Sequence, residues 1–127
     1  MPFENIWGYR SVHKRFFGQL SIQEFMHSVE LIQGDERFDA LRYAINDFTE
    51  AVLPLLTEEN VKTFAAFGLG AAYTNPKIKV GVVSSNEVAR AMAQRYAAAS
   101  PFEVKIFATM AEVHAWMPEK HWPQPSR

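Results

Sequence analysis

The sequence predicts an α/β fold, a mixed five-stranded sheet with four helices in the order β-β-α-β-α-β-α-β-α. Three observations predict it. The β-branched run Ile78, Val80, Val82 and Val83 suits a strand covered on both faces. Ser21/Glu24, Ser84/Glu87 and Thr109/Glu112 each have the spacing of a capping box, in which a hydroxyl and a carboxylate satisfy the free amides of a helix start. Helical and strand-like stretches then alternate, which requires a largely parallel sheet with right-handed crossovers, and the opening pair adds an antiparallel edge.

Aromatic and β-branched residues dominate from Phe3 to Leu20 and read as two short strands, Ile6–Tyr9 and Val12–Phe17, joined tightly around Gly8. The helix opened by Ser21 carries Ile22, Phe25, Met26, Val29 and Ile32 at the spacing that draws one buried stripe, and Gly34 ends it. Asp35 to Asp39 is a polar connector anchored by Phe38. Tyr43 to Phe48 alternates as a strand, with Asp47 near its carboxyl end. After a loop holding Val52, Leu53, Pro54, Leu55 and Leu56, Thr57 is an N-cap candidate with Glu58 and Glu59 in the positive first turn. Val61, Phe64, Ala65, Gly68 and Ala72 supply that helix's stripe, and Asn75-Pro76 stops it.

Ile78–Val83 is expected to be the central strand. The helix after Ser84 presents Val88, Ala89, Met92, Ala93 and Tyr96, and ends before Ser100-Pro101. Phe102, Val104 and Ile106 alternate with Glu103, Lys105 and Phe107 as the last strand. A short helix from Thr109 through Val113 and Trp116 is closed by Pro118. Residues 1–117 are expected to form a single domain and 118–127 a loosely ordered, proline-containing tail.

Composition narrows the function. A chain of 127 residues makes one domain of radius roughly 14 Å. Without cysteine it has no disulfide, no thiol nucleophile and no thiolate metal site. A formal net charge of −1 provides no basic field for nucleic acid. No apolar run approaches the ~20 residues of a membrane span, and the start lacks a signal-peptide pattern, so a soluble cytoplasmic protein is expected. His13, His27, His114 and His121 show no metal or nucleophile spacing, so neither metal nor cofactor is expected and the chain reads as no enzyme. Gly68 and Gly70, after no strand, read as helix-packing glycines rather than a phosphate loop.

Ligands of open sheets meet the carboxyl ends of parallel strands. That rule selects Asp47, Thr49 and Glu50, then Leu55, Leu56 and Thr57, then Ser84, Ser85 and Asn86. The hydroxyls and helix-start amides suit an anionic group, although capping alone also accounts for them. Asp47 and Glu50 are the carboxylates an acid/base pair would use. Val52, Leu53, Leu55 and Leu56 either tuck under the second helix or form the lip of a small apolar pocket. Trp116 and Trp122 either pack on the chain's own sheet or offer a surface to a second subunit.

From about Ile6 to Trp116 the chain resembles the stage II sporulation protein AA-like branch of the STAS superfamily, also described as STAS/SEC14-type proteins. The likeness rests on Gly18-Gln19-Leu20-Ser21, on Asp35 to Phe38, on Asp47-Phe48-Thr49, on Thr57-Glu58-Glu59, and on Asn75-Pro76 leading into Ile78–Val83. It implies a small cytoplasmic regulatory or ligand-binding module. Classical members are anti-sigma factor antagonists switched by phosphorylation of a hydroxyl at the start of the second helix, and STAS domains more generally bind protein partners, nucleotides or lipids. The Asp-Ser-Ser/Thr-Gly type of segment is missing here; Leu53-Pro54-Leu55-Leu56-Thr57 stands in its place and leaves Thr57 as the nearby hydroxyl. A phosphate there adds about −1.5 to −2 charge, which Glu58 and Glu59 oppose.

The leading expectation is therefore a non-enzymatic STAS-like module binding a protein partner or a small hydrophobic or anionic ligand at the rim of Asp47, Thr49, Leu55, Leu56, Thr57, Ser84, Ser85 and Asn86, with Thr57 the phosphorylation candidate. The alternative is a SEC14-like carrier of a lipid or other hydrophobic small molecule, its pocket lying around Phe64 and Phe67. A homodimer through a sheet edge or the Trp-containing tail fits either.

Overall fold

A computed structural model describes residues 2–122. The hairpin β1 (Phe3–Gly8) and β2 (Ser11–Gln19) pairs antiparallel with Gly8 opposite Ser11, so the turn is Tyr9-Arg10 rather than Gly8. Arg10 takes a left-handed φ of 54°, and its carbonyl accepts from the N–H groups of Arg42 and Tyr43. Both strands are longer than their sequence pattern, because β2 is paired on both edges. Its other partner, β3 (Tyr43–Val52), runs parallel to it out to Gln19 opposite Val52, past a bulge between Arg15 and Phe17. Thr49, Glu50 and Val52 are thus strand residues and not loop.

The sheet order is β1-β2-β3-β4-β5, with β4 (Lys79–Val83) and β5 (Glu103–Phe107) parallel to β3. The five-stranded mixed sheet and four helices are therefore as expected, although β3 and not the β-branched β4 lies at the centre. Four of the five β4 residues are nonetheless buried, as a strand covered on both faces requires.

Local capping explains where the helices start. In α1 (Ile22–Gln33) Ser21 accepts from the Glu24 N–H while the Glu24 carboxylate accepts from the Ser21 N–H. Thr57 and Asn60 do the same for α2 (Glu58–Thr74), and Thr109 with Glu112 for α4 (Met110–Trp116). The Ser84/Glu87 box does not form. Asn86 caps α3 (Glu87–Ala99) instead, because the Ser84 N–H is drawn to the Phe107 carbonyl and its hydroxyl accepts from the Asn86 N–H. Starting at Glu87, the helix turns Val88 outward, 55% exposed. The Asp35–Asp39 connector contains a 3₁₀ turn with Phe38 buried, and the Asn75 amide donates to the Phe38 and Leu41 carbonyls, tying the end of α2 to it.

Two apolar clusters lie on opposite faces of the sheet. On one, Val12, Phe16, Phe48, Val80 and Val82 pack under α1, α2 and α3. On the other, Tyr43, Ile45, Val83 and Phe107 pack under Val113, Trp116 and Met117 of α4 and the residue after it. Gly81 lets the Ile45 side chain approach, since a Cβ there would stand 2.9 Å from Ile45 Cδ1, whereas Trp116 at 3.4 Å would be in ordinary contact.

The tail expectation is corrected over 118–122. Glu119–His121 forms a second 3₁₀ turn, with His121 buried and stacked on Tyr9. Its Nδ1 lies 2.7 Å from the Tyr9 carbonyl, and the Ser11 hydroxyl donates to its carbonyl. Trp122 donates to the Met117 carbonyl and packs on the α4-side cluster. Pro123 and Pro125 lie outside the described residues.

Candidate functional site

The apolar stripe of α1 does not close fully onto the sheet: Ile32 is buried, but Phe25, Met26 and Val29 are only partly so. Residual space there includes two neighbouring cavities, lined by described residues, between the sheet and the three-helix layer. The outer one, about 70 Å³, opens at the carboxyl ends of the parallel strands, where the start of α1, the Leu53–Leu56 loop and the first turns of α3 converge. Its wall includes Leu20, Phe48, Leu56, Phe64 and Met92. The inner one, so called for its place under α1 and α2 and as open as the other, is about 90 Å³, reaches toward the amino ends of β3 and β4 at Leu41 and Ile78, and shares Phe25, Asn46, Phe64 and Tyr96 with the outer. Phe67 joins its wall.

One charge is set into this apolar space. Val12, Lys14 and Phe16 alternate onto the helix-covered face of β2, so the Lys14 side chain points inward and is only 4% exposed. Its Nζ lies 5.6 and 5.4 Å from the ring centres of Phe16 and Phe25. It makes no hydrogen bond or ion pair among the described residues. Burial lowers its pKa from 10.5 to about 7. Across the ladder stands Asn46, whose Oδ1 is buried without a partner. Burial also pushes the Tyr96 phenol up, against its bond to Ser100.

The opposite face of β2 carries the remaining polar chemistry. His13 Nε2 lies 2.8 Å from Asp47 Oδ2, while Asp47 Oδ1 accepts from both the N–H and the hydroxyl of Thr49. Burial raises the Asp47 pKa, but these bonds outweigh it and hold the carboxyl below its ordinary value. Glu50 does not join Asp47 as an acid/base pair; Arg15 bridges it to Glu4.

The eight rim residues therefore part company. Leu56 lines the outer cavity, while Leu55 is 80% exposed and outside its wall. Asp47 and Thr49 are bonded to each other on the far side of the sheet from the cavities. Thr57 is exposed, its hydroxyl capping α2, and Ser84 is buried and Asn86 exposed, both holding the start of α3. Ser85 is exposed. Lys14, Asn46 and His13 are absent from the sequence-derived set. The period-two alternation that places Lys14 among apolar residues is the signal that could have found it.

No group of three His, Cys, Asp or Glu able to hold a metal exists among the described residues, and no helix there is long and apolar enough to cross a membrane. Comparisons with family models, curated proteins and solved structures find no match, so the function has to be read from the site's own chemistry.

Proposed function

We propose that this protein is a non-enzymatic module of STAS-like type that holds a small, largely apolar molecule between its sheet and three-helix layer, at the carboxyl ends of the parallel strands. The observation that carries the reading is the outer cavity of about 70 Å³, walled by residues of α1, β3, the Leu53–Leu56 loop, α2 and α3. The rim's own polar groups support binding over catalysis, since Thr57, Ser84 and Asn86 are engaged in capping and Asp47 in its bonds to His13 and Thr49.

Titration with hexanol, followed by amide NMR shifts, tests the site. Saturable shifts around Leu56, Phe64 and Met92 are expected. Leu56→Ser weakens uptake several-fold, whereas Leu55→Ser, outside the wall, leaves it unchanged. Absence of uptake, or equal effects of the two substitutions, rejects the site.

The four residues shared with the inner cavity favour a second reading, a carrier whose cargo reaches further inward. A molecule that stays with the protein through purification in native mass spectrometry distinguishes it.

A further inference from the structure

The inner cavity contains a charge and almost nothing to pair it with. Its other polar side chains are Asn46, Gln33 and the Tyr96 phenol, and no carboxylate lines it. Gln33 is engaged with the Phe67 carbonyl. Lys14 Nζ, a donor with up to three hydrogens, makes no hydrogen bond or ion pair among the described residues, and its partners across the two ladders, Asn46 and Asn5, each have a buried Oδ1 without a hydrogen bond there. The Phe16 and Phe25 rings offer the ammonium some compensation, on the order of 0.5–2 kcal/mol, but no hydrogen bond.

We propose that Lys14 is the charge-pairing residue of this cavity and that its ligand is a small apolar monocarboxylate, seated with its carboxylate on Lys14 Nζ and its hydrocarbon along the wall made by the Phe25 and Phe64 rings, which touch edge to face. This rests on the small-ligand reading above and names the ligand's class. The Lys14 side chain is already largely withdrawn from water in the folded protein, so binding adds little further desolvation of the amine, and an ion pair is stronger where the dielectric is low. The remaining Nζ hydrogens can serve Asn46 Oδ1. A cationic ligand is repelled, and a purely apolar one leaves these atoms as they are. Size limits the choice: two adjoining cavities of about 70 and 90 Å³ are on the scale of the ~150 Å³ cavity that admits benzene, which suits a chain of a few carbons rather than a long one.

Hexanoate, hexanol and hexylamine share one chain and differ in charge, and NMR titration of the whole protein at pH 6.5 ranks them. Hexanoate is expected to bind at least tenfold tighter than hexanol, with hexylamine weakest, and Lys14→Met is expected to erase the preference while keeping hexanol uptake. Calorimetry of the unaltered protein at pH 8, in two buffers of different ionisation enthalpy, supplies a readout that needs no variant. An amine largely neutral at that pH has to capture a proton as it pairs with the carboxylate, so uptake approaching one proton per hexanoate is expected. Hexanol and hexanoate binding equally well, or a hexanoate preference that survives Lys14→Met, overturns the assignment of Lys14 and leaves the apolar cavity standing. Failure of all three probes to bind overturns both.

Discussion

His13 and Asp47 are 34 positions apart in the chain, yet Nε2 of one and Oδ2 of the other are 2.8 Å apart across the β2–β3 ladder. The side chains are 14% and 6% exposed, so the contact is shielded from water on a face that α4 covers only in part. Thr49 completes the ring of donors around the carboxylate. The group is a clasp between adjacent parallel strands at the point where the bulge begins.

Asp47→Asn preserves the shape of that clasp and removes its charge. Loss of charged, buried hydrogen bonds is expected to cost about 1–3 kcal/mol at pH 7. The pH dependence has a definite sign. Because the folded carboxyl sits below its ordinary value of ~3.9, the unfolded chain takes up the proton first as pH falls. The stabilisation is therefore present above that value and lost as pH drops through the folded one. Urea midpoints at pH 7, 4 and 3 should converge between wild type and variant. Asp35, whose pKa its bonds to Arg37 lower, is common to both proteins and cancels in the difference. A constant gap across this range argues that the clasp contributes no charge-dependent stability.

Two glycines should respond in opposite directions to alanine. Gly70, in the exposed part of α2, has nothing within 4 Å of a built Cβ, so Gly70→Ala gains helix propensity and is expected to stabilise by about 0.5–1 kcal/mol. At Gly81 the added carbon meets Ile45 Cδ1 at 2.9 Å, so the tip of that side chain, which is 1% exposed, has to shift. Gly81→Ala is expected to cost about 1–3 kcal/mol as the buried Ile45 side chain is displaced. Thermal unfolding of both variants checks the pair, and a stabilised Gly81→Ala would contradict the described packing of Ile45 on Gly81.

What the sequence shows and hides follows the range of the interaction. The boxes at Ser21 and Thr109 and the cap at Thr57 are legible because their partners lie within three residues. The Ser84 box is misleading because a carbonyl from another strand, that of Phe107, takes its N–H. Strands β2 and β3 outrun their hydrophobic pattern because each extends the other, a dependence no single stretch records. His121 resembles an exposed tail residue until Tyr9 and Ser11 are seen to receive it. For the site, the greasy Leu53–Leu56 loop stands out in the sequence, and Leu56 does line a cavity. Rim hydroxyls look like ligand donors only while their capping partners are invisible. Lys14 escapes notice for a different reason: a lysine in a strand is ordinarily a solvated one, and only the parity it shares with Val12 and Phe16 says otherwise.

That parity makes the strongest pH prediction. The folded Lys14 titrates near 7 while the unfolded one titrates near 10.5, so as pH falls from 10 the unfolded chain binds the proton first and gains relative stability. The folded protein loses stability across that interval, and the loss levels off below about 7. Every tenfold difference in proton affinity between the two states is worth about 1.4 kcal/mol, so Lys14→Met, which fills the same space without a charge, should be more stable than wild type by up to a few kcal/mol at pH 6.5. The advantage should shrink steadily toward pH 9. Tyr96, the other titratable group in the wall, is pushed above its ordinary range by burial and does not ionise in this window. The rings of Phe16 and Phe25 pull the other way by favouring the ammonium, which makes that gain an upper bound. Parallel stability curves for the two proteins from pH 6.5 to 9 would mean that Nζ keeps its hydration, and a hydrated ammonium has no unmet demand for a carboxylate.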